Sequence, residues 1–102
     1  MPEFIEAAKL EEIPPGASTT VTLAGKAIAL FNVDGTVFAT QDNCLHAGAS
    51  LGFAGKLEGK IVTCRLHGWK YDVTTGAMPS APGMALGCYP VKIEDAKVFV
   101  QI

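Results

Sequence analysis

Two cysteine–histidine pairs constrain the structure of this chain more than any other feature of its 102 residues. The first pair is Cys44-Leu45-His46, and after 17 intervening residues the second pair is Cys64-Arg65-Leu66-His67. The chain contains only two histidines, and each lies within three residues of a cysteine. Thiolates and imidazoles are common protein ligands of transition metals. We therefore predict that Cys44, His46, Cys64 and His67 bind one metal centre.

The order of these ligands favours one kind of centre over another. A zinc site with two cysteines and two histidines usually takes its thiolates from one hairpin and its imidazoles from the helix that follows. This chain alternates the two residue types, and no helical pattern follows the second pair. A [2Fe-2S] centre of mixed ligation needs two equivalent loops, each giving one thiolate to one iron and one imidazole to the other. The spacing of the two pairs matches this requirement. The alternative to a [2Fe-2S] centre is a zinc-binding structural module.

The residues after the second pair extend the pattern. They run Gly68-Trp69-Lys70-Tyr71-Asp72, and Thr74-Thr75-Gly76 follows. With the ligand spacing, this stretch resembles the Rieske [2Fe-2S] proteins of aromatic-ring oxygenase systems, and the resemblance covers residues 38–102. It implies one Rieske-type [2Fe-2S] cluster bound by the two pairs. Residues 78–83 resemble the proline-containing loop that covers the cluster in this family.

The resemblance also implies a role and partners. It implies a soluble one-electron carrier that receives an electron from a flavin-dependent ferredoxin reductase and passes it to a terminal ring-hydroxylating oxygenase. Such a carrier is not itself an enzyme, and we expect it to be a monomer. A terminal oxygenase would need a further iron site with two histidines and a carboxylate, but both histidines of this chain are assigned to the cluster. The alternative is a small Rieske subunit of a multi-subunit reductase, such as a nitrite reductase.

Ligand charge predicts how such a cluster takes up an electron. Two ferric ions and two sulfides carry +2, so two thiolates and two neutral imidazoles make the oxidised centre neutral, which raises its potential relative to a centre with four thiolates. High-potential Rieske proteins place a serine two residues after the second histidine and add a cysteine beside each pair. This chain has Trp69 at the first position and no such cysteines. We therefore predict a low potential for a Rieske centre.

Charge and hydropathy exclude other classes of function. The formal net charge is −2, whereas binding of nucleic acid requires a basic surface. The longest wholly apolar run is Ala27 to Phe31, far below the roughly 20 residues of a membrane-spanning helix. The N-terminus has no basic leader followed by an apolar segment, so the cytoplasm is the expected location. Cys88 completes an odd set of three cysteines, and we expect it to be a buried, inert thiol.

Short β-branched segments between turn residues predict an all-β protein. Strands are predicted at 17–23, 27–33 and 36–40, with a terminal hairpin at 89–93 and 97–102. The resemblance implies a Rieske fold, which has an antiparallel β-sandwich or barrel-like base and a smaller cluster-binding subdomain. We predict one domain over residues 1–102, its base at 1–41 and 86–102 and its cluster-binding subdomain at about 42–85.

The stretch 41–88 is rich in glycine and shows little periodicity. So long an irregular segment is unusual in a compact domain, and we expect the metal centre to order it. The absence of a Cβ at four glycines is expected to let backbone N–H groups approach sulfur. These are Gly48, Gly52, Gly55 and Gly68.

Overall fold

The structure is a computed structural model that describes residues 4–42, 50–64, 68–78 and 85–101. Within these ranges the chain forms antiparallel sheets and two short helical segments. A 3-10 turn spans Leu10–Glu12, and a one-turn helix, α1, spans Leu51–Ala54. Neither segment is long and apolar enough to cross a membrane. The prediction of an all-β protein is confirmed.

The strands form three sheets. In chain order the strands are β1 (Phe4–Lys9), β2 (Ser18–Leu23), β3 (Lys26–Val33), β4 (Thr36–Gln41), β5 (Gly55–Glu58), β6 (Ile61–Cys64), β7 (Lys70–Asp72), β8 (Cys88–Tyr89), β9 (Val91–Glu94) and β10 (Lys97–Gln101). The terminal sheet has the order β1-β10-β9, the middle sheet the order β2-β3-β4-β8, and the small sheet the order β5-β6-β7.

Most predicted strands are confirmed, and the exceptions have physical reasons. The meander is β2-β3-β4, and the terminal hairpin is β9-β10. The predicted strand 89–93 is interrupted at Pro90, which has no backbone N–H, and Tyr89 belongs to β8 of the middle sheet. The sequence pattern does not predict β1, because its register shifts between Glu6 and Ala8 and this bulge interrupts the alternation that marks a strand. The expectation that 41–88 is irregular is wrong for β5, β6 and β7. Each has three or four residues, too few to show a clear period.

β3 is the central strand and is buried on both faces. Ile28 and Leu30 lie in the core shared with the terminal sheet, whereas Ala29 and Phe31 lie in the core shared with the small sheet. All four are fully buried. A strand covered on both faces needs a continuous apolar run, which explains why the longest such run of the chain lies here.

The two faces of the middle sheet therefore cover two different cores. We name the aliphatic one between the middle and terminal sheets the base core; it contains Ile13, Leu23, Ile28, Leu30, Val37, Ala39, Val98 and Val100. We name the one between the middle and small sheets the site core; it contains Ala29, Phe31, Leu51, Val62, Cys64, Tyr71, Val73, Met78 and Leu86. The site core holds the only predicted ligand that lies in the described part of the chain.

Candidate metal centre

Cys64 is the predicted ligand that the structure describes. It is the last residue of β6, is 1% exposed and belongs to the site core. Its register partner on β5 is Gly55. The other three predicted ligands, Cys44, His46 and His67, lie outside the described residues.

Asp42 closes the segment that carries the first predicted pair, residues 43–49. It follows β4, is 4% exposed, and its carbonyl oxygen accepts a hydrogen bond from the backbone N–H of Leu51 at 2.8 Å. Its Oδ1 accepts three more, from Thr20 Oγ1 at 2.8 Å, Ser50 Oγ at 3.0 Å and the backbone N–H of Gly52 at 3.0 Å. Both ends of the segment are therefore held together by one residue.

Two backbone hydrogen bonds close the segment of the second predicted pair, residues 65–67. The N–H of Cys64 donates to the carbonyl oxygen of Trp69 at 2.7 Å, and the N–H of Gly68 donates to the carbonyl oxygen of Cys64 at 2.9 Å. Gly68 has a φ of +72°, a value that glycine adopts at little cost. These two bonds therefore hold the two ends of residues 65–67 close together after β6.

A third segment, residues 79–84, includes most of the predicted proline-containing loop and lies outside the described residues. Ala77 and Ala85 form an isolated antiparallel bridge at its two ends. The N–H of Leu86 donates to the carbonyl oxygen of Gly76 at 2.8 Å. This segment is thus also closed at its base by backbone pairing.

The residues that flank the three segments pack together. Leu51 lies just after the first segment, Cys64 precedes the second, and Met78 and Leu86 flank the third. All four side chains are buried in the site core. Each of the three segments is therefore flanked by at least one residue of the same core.

The glycines near the predicted ligands have several functions. A Cβ on Gly52 would overlap the side chain of Thr20, and one on Gly55 would lie 2.7 Å from a side chain of β6. Packing between protein atoms therefore requires glycine at these two positions, independently of any approach of backbone N–H groups to sulfur. A Cβ on Gly68 would meet no heavy atom within 4 Å of it, so its positive φ is the constraint there. The fourth position, Gly48, lies outside the described residues.

Asp72 organises the turn that follows β7. Its carboxylate lies 3.4 Å from Lys60 Nζ and accepts hydrogen bonds from the backbone N–H and the hydroxyl of Thr74. Burial of the Asp72 carboxyl by itself raises its pKa, but the hydrogen bonds from Thr74 and the charge of Lys60 outweigh this and lower the pKa below 3.8. Asp72 is therefore ionised at neutral pH and fixes the turn in that state.

Cys88 is exposed, so the expectation that it is buried is wrong. The reason is that β8 has only two residues and lies at the edge of the middle sheet. Its Sγ lies 3.7 Å from the carbonyl oxygen of Leu86. Partial desolvation, followed by the negative charge of Asp72, raises the pKa of the Cys88 thiol above 9.0. The thiol is therefore protonated at neutral pH.

The sequence pattern does not single out Asp42, and it includes Asp72 in the stretch after the second pair without giving it a role. A signal for Asp42 exists, because an aspartate directly after a strand and two residues before a predicted ligand is well placed to accept backbone N–H bonds. Its partner Thr20 gives no such signal, since the two residues meet only through the pairing of β2, β3 and β4. The signal for Asp72 is its spacing to Thr74, which is typical of an Asx turn.

The family model of the Rieske [2Fe-2S] domain matches residues 3–90. This chain belongs to the Rieske [2Fe-2S] domain family. Its cofactor is one Rieske-type [2Fe-2S] cluster, which decides against the zinc alternative. The resemblance identified from the two ligand pairs is confirmed.

Individual relatives agree with this assignment along nearly the whole chain. The chain is 43% identical over 98 residues to the biphenyl dioxygenase ferredoxin subunit of Pseudomonas sp. (strain KKS102), covering 95% of this chain and 90% of that protein. It is 40% identical to the ferredoxin component of the naphthalene 1,2-dioxygenase system of Pseudomonas aeruginosa, covering 98% and 96%. The solved ferredoxin of Sphingomonas yanoikuyae B1 superposes with a TM-score of 0.88 at 32% identity, covering 98% and 99%.

A further solved structure is a complex. One chain from the complex of reduced oxygenase and oxidised ferredoxin in carbazole 1,9a-dioxygenase superposes with a TM-score of 0.87 at 30% identity. The match covers 96% of this chain and 92% of that chain. The biphenyl and naphthalene relatives are ferredoxin components of dioxygenase systems, which are electron carriers and not the catalytic components.

Proposed function

We propose that this chain carries one electron at a time on a Rieske [2Fe-2S] cluster held by Cys44, His46, Cys64 and His67. When bound, the cluster supplies a centre that is reduced and reoxidised by a single electron. The two cysteines bind one iron as thiolates, and the two histidines bind the other as neutral imidazoles. The ligand set uses both histidines of the chain.

The packing of the residues that flank the three segments in one site core carries this proposal. The segment with Cys44 and His46 is closed by Asp42 and followed by Leu51, and Leu51 packs in the same core as Cys64. The segment with His67 directly follows Cys64. Two loops that are flanked by residues of one buried core meet the requirement of a cluster whose irons take ligands from both loops. The buried position of Cys64 also suits a thiolate that is shielded from solvent and oxidants.

We infer that the electron comes from a flavin-dependent ferredoxin reductase and goes to a terminal ring-hydroxylating oxygenase. The similarity to ferredoxin components of two dioxygenase systems supports this role, as does the likeness to a chain in an oxygenase–ferredoxin complex. We further propose that the carrier is a cytoplasmic monomer. Its base comprises 1–41 and 86–102, and its cluster-binding subdomain about 42–85.

Reconstitution tests the proposed role. The purified holoprotein is mixed with the reductase and oxygenase components of a biphenyl or naphthalene dioxygenase system, and NADH-dependent product formation is measured. We expect turnover to depend on this chain and to be lost in Cys64→Ser, while Cys88→Ser supports turnover as the unmodified chain does. A chain that is reduced by the reductase but never reoxidised by any oxygenase would contradict the proposed direction of electron flow.

A further inference from the structure

We propose that Asp42 and Thr20 are positioning residues for the first ligand pair. The carboxylate of Asp42, held from the middle sheet by the Thr20 hydroxyl, fixes both ends of the segment that carries Cys44 and His46. This inference rests on the proposed ligand set, because it assigns the fixed segment a ligand role.

Three hydrogen bonds from described residues converge on one oxygen of Asp42. Oδ1 accepts from Thr20, Ser50 and Gly52 at 2.8 to 3.0 Å, all within the normal range for strong hydrogen bonds. The hydroxyl oxygens of Thr20 and Ser50 lie only 3.1 Å apart. A carboxylate oxygen stabilises such a crowded set of donors better than a neutral acceptor, because its charge strengthens each bond.

This oxygen joins parts of the chain that are far apart in sequence. Thr20 lies on β2, and its register partner Ala29 faces the site core. Asp42 stands at the exit of β4 and Gly52 in the first turn of α1. The middle sheet therefore provides a fixed reference point for the start and the end of the ligand segment.

α1 and β2 approach each other closely at Gly52. A Cβ on Gly52 would overlap Thr20 Oγ1 and lie 2.6 Å from the carbonyl oxygen of Thr19. Ser18 adds a separate, longer hydrogen bond from its Oγ to the carbonyl oxygen of Gly52 at 3.2 Å. β2 thus holds α1 at two points. Loss of the Thr20 hydroxyl alone should leave the fold intact while loosening the ligand segment.

Partners that orient metal ligands affect the properties of the metal itself. Groups that hold a ligand in place change metal affinity and redox behaviour even when they do not touch the metal. Movement of the segment that carries one thiolate and one imidazole would alter the ligand geometry at both irons. A spectroscopic change is therefore the mark of positioning, because a merely stabilising residue would leave the spectrum of the folded protein unchanged.

Thr20→Val provides the test, because valine keeps the shape of threonine and removes the hydroxyl. Thr22→Val is the matched control, since Thr22 lies on the same face of the same strand and is exposed. For each holoprotein, the EPR spectrum after reduction with dithionite and the rate of loss of visible absorbance in excess EDTA are measured. We expect Thr20→Val to change the EPR line shape and to accelerate cluster loss by about twofold to tenfold, the range expected for one hydrogen bond. Thr22→Val should match the unmodified protein, and Thr20→Ser should restore both properties.

Two results would overturn the inference alone: Thr20→Val with an unchanged EPR spectrum and rate of cluster loss, or equal changes in Thr20→Val and Thr22→Val. If Thr20→Val does not accumulate as folded protein, Asp42→Asn is used to test the inference instead. It keeps an oxygen at the same place without its charge, and an EPR spectrum identical to that of the unmodified protein would then overturn the proposal. Absence of a Rieske signal from the unmodified protein would instead overturn the proposed function, and this inference with it.

Discussion

The base core and the site core lie on opposite faces of β3 but differ in composition and in what holds their edges. The base core is aliphatic, and strands of four to eight residues surround it. The site core includes Phe31, Tyr71, Cys64 and Met78, and the strands of the small sheet have only three or four residues. Hydrogen bonds of Asp42, Cys64 and Gly76 close the three segments around the site core.

This difference indicates a division of tasks within one small domain. Apolar burial over long strands stabilises the base without any special residue. Around the site core, individual polar contacts fix short segments in place, which suits a region that must present ligands with a defined geometry. Changes in the base core should therefore affect stability alone, whereas changes in the site core should also affect the cluster.

The largest expected effect is that of Phe31→Ala, which removes the largest apolar side chain that β3 contributes to the site core. Phe31 is fully buried, so we expect a loss of about 3 to 5 kcal/mol in the free energy of unfolding. We also expect faster loss of visible absorbance under native conditions, because Phe31 and Cys64 share this core. Denaturation followed by circular dichroism and bleaching in EDTA measure the two effects.

Leu30→Ala is the control in the base core. Leu30 is the neighbour of Phe31, is equally buried and faces the opposite side. We expect it to cost about 2 to 5 kcal/mol while leaving bleaching of the folded protein unchanged. Equal acceleration of bleaching by both variants would show that the two cores are not distinct in function.

Two glycines with the same φ offer a second comparison. Gly76, beside the third segment, and Gly25, in the β2–β3 turn, both have a φ of +80°. Alanine at either position costs about 1 to 2 kcal/mol for the backbone conformation. At Gly76 the new Cβ would also crowd the carbonyl oxygen of Leu86 and lie 2.8 Å from Cys88 Sγ, whereas at Gly25 it meets open space.

We therefore expect Gly76→Ala to destabilise the protein by about 1 to 3 kcal/mol more than Gly25→Ala. The measurement is the urea midpoint and slope of both variants beside the unmodified protein. Equal losses in the two variants would mean that the close packing beneath the third segment contributes nothing to stability.

Asp72 should make the stability of the small-sheet region depend on pH. Its pKa is lowered in the folded protein, so its contribution is present above about pH 4 and is lost as pH falls through the folded pKa. Asp72→Asn should cost about 1 kcal/mol at pH 7, and the difference from the unmodified protein should shrink below pH 3.8. Thermal unfolding at pH 7 and pH 3 measures this, with Asp34→Asn in the exposed β3–β4 turn as control. A difference in thermal stability between Asp72→Asn and the unmodified protein that is as large at pH 3 as at pH 7 would contradict this prediction.

The smallest expected effect concerns Cys88. Because its pKa is raised, its alkylation by iodoacetamide at pH 7 should be slower than that of a simple thiol although the residue is exposed. Asp72→Asn removes one cause of the shift and should speed alkylation at a given pH. Cys88→Ser should leave the visible spectrum unchanged. Rapid alkylation at pH 7, found by mass spectrometry, would contradict the raised pKa.

The base could be predicted well from the sequence because its signals are local. Turn glycines and β-branched runs mark β2, β3 and β4, and the apolar run of β3 marks the strand between two cores. Around the site, the sequence reveals the ligand pairs through their spacing. It does not reveal the hydrogen bond from Thr20 to Asp42, which joins residues 22 positions apart. This bond depends on strand order, which no local pattern reveals. The sequence does not predict β1 for a different reason, because its bulge removes the periodic signal.

The measurement that tests the central claim most directly is electron–nuclear double resonance on the dithionite-reduced protein. The chain has two histidines, so detection of two coordinating imidazole nitrogens identifies His46 and His67 as ligands in a monomer without any substitution. We predict couplings from two such nitrogens on a red-brown protein with a reduced [2Fe-2S] signal. A signal without nitrogen coupling, or a colourless protein that contains zinc, would contradict the account.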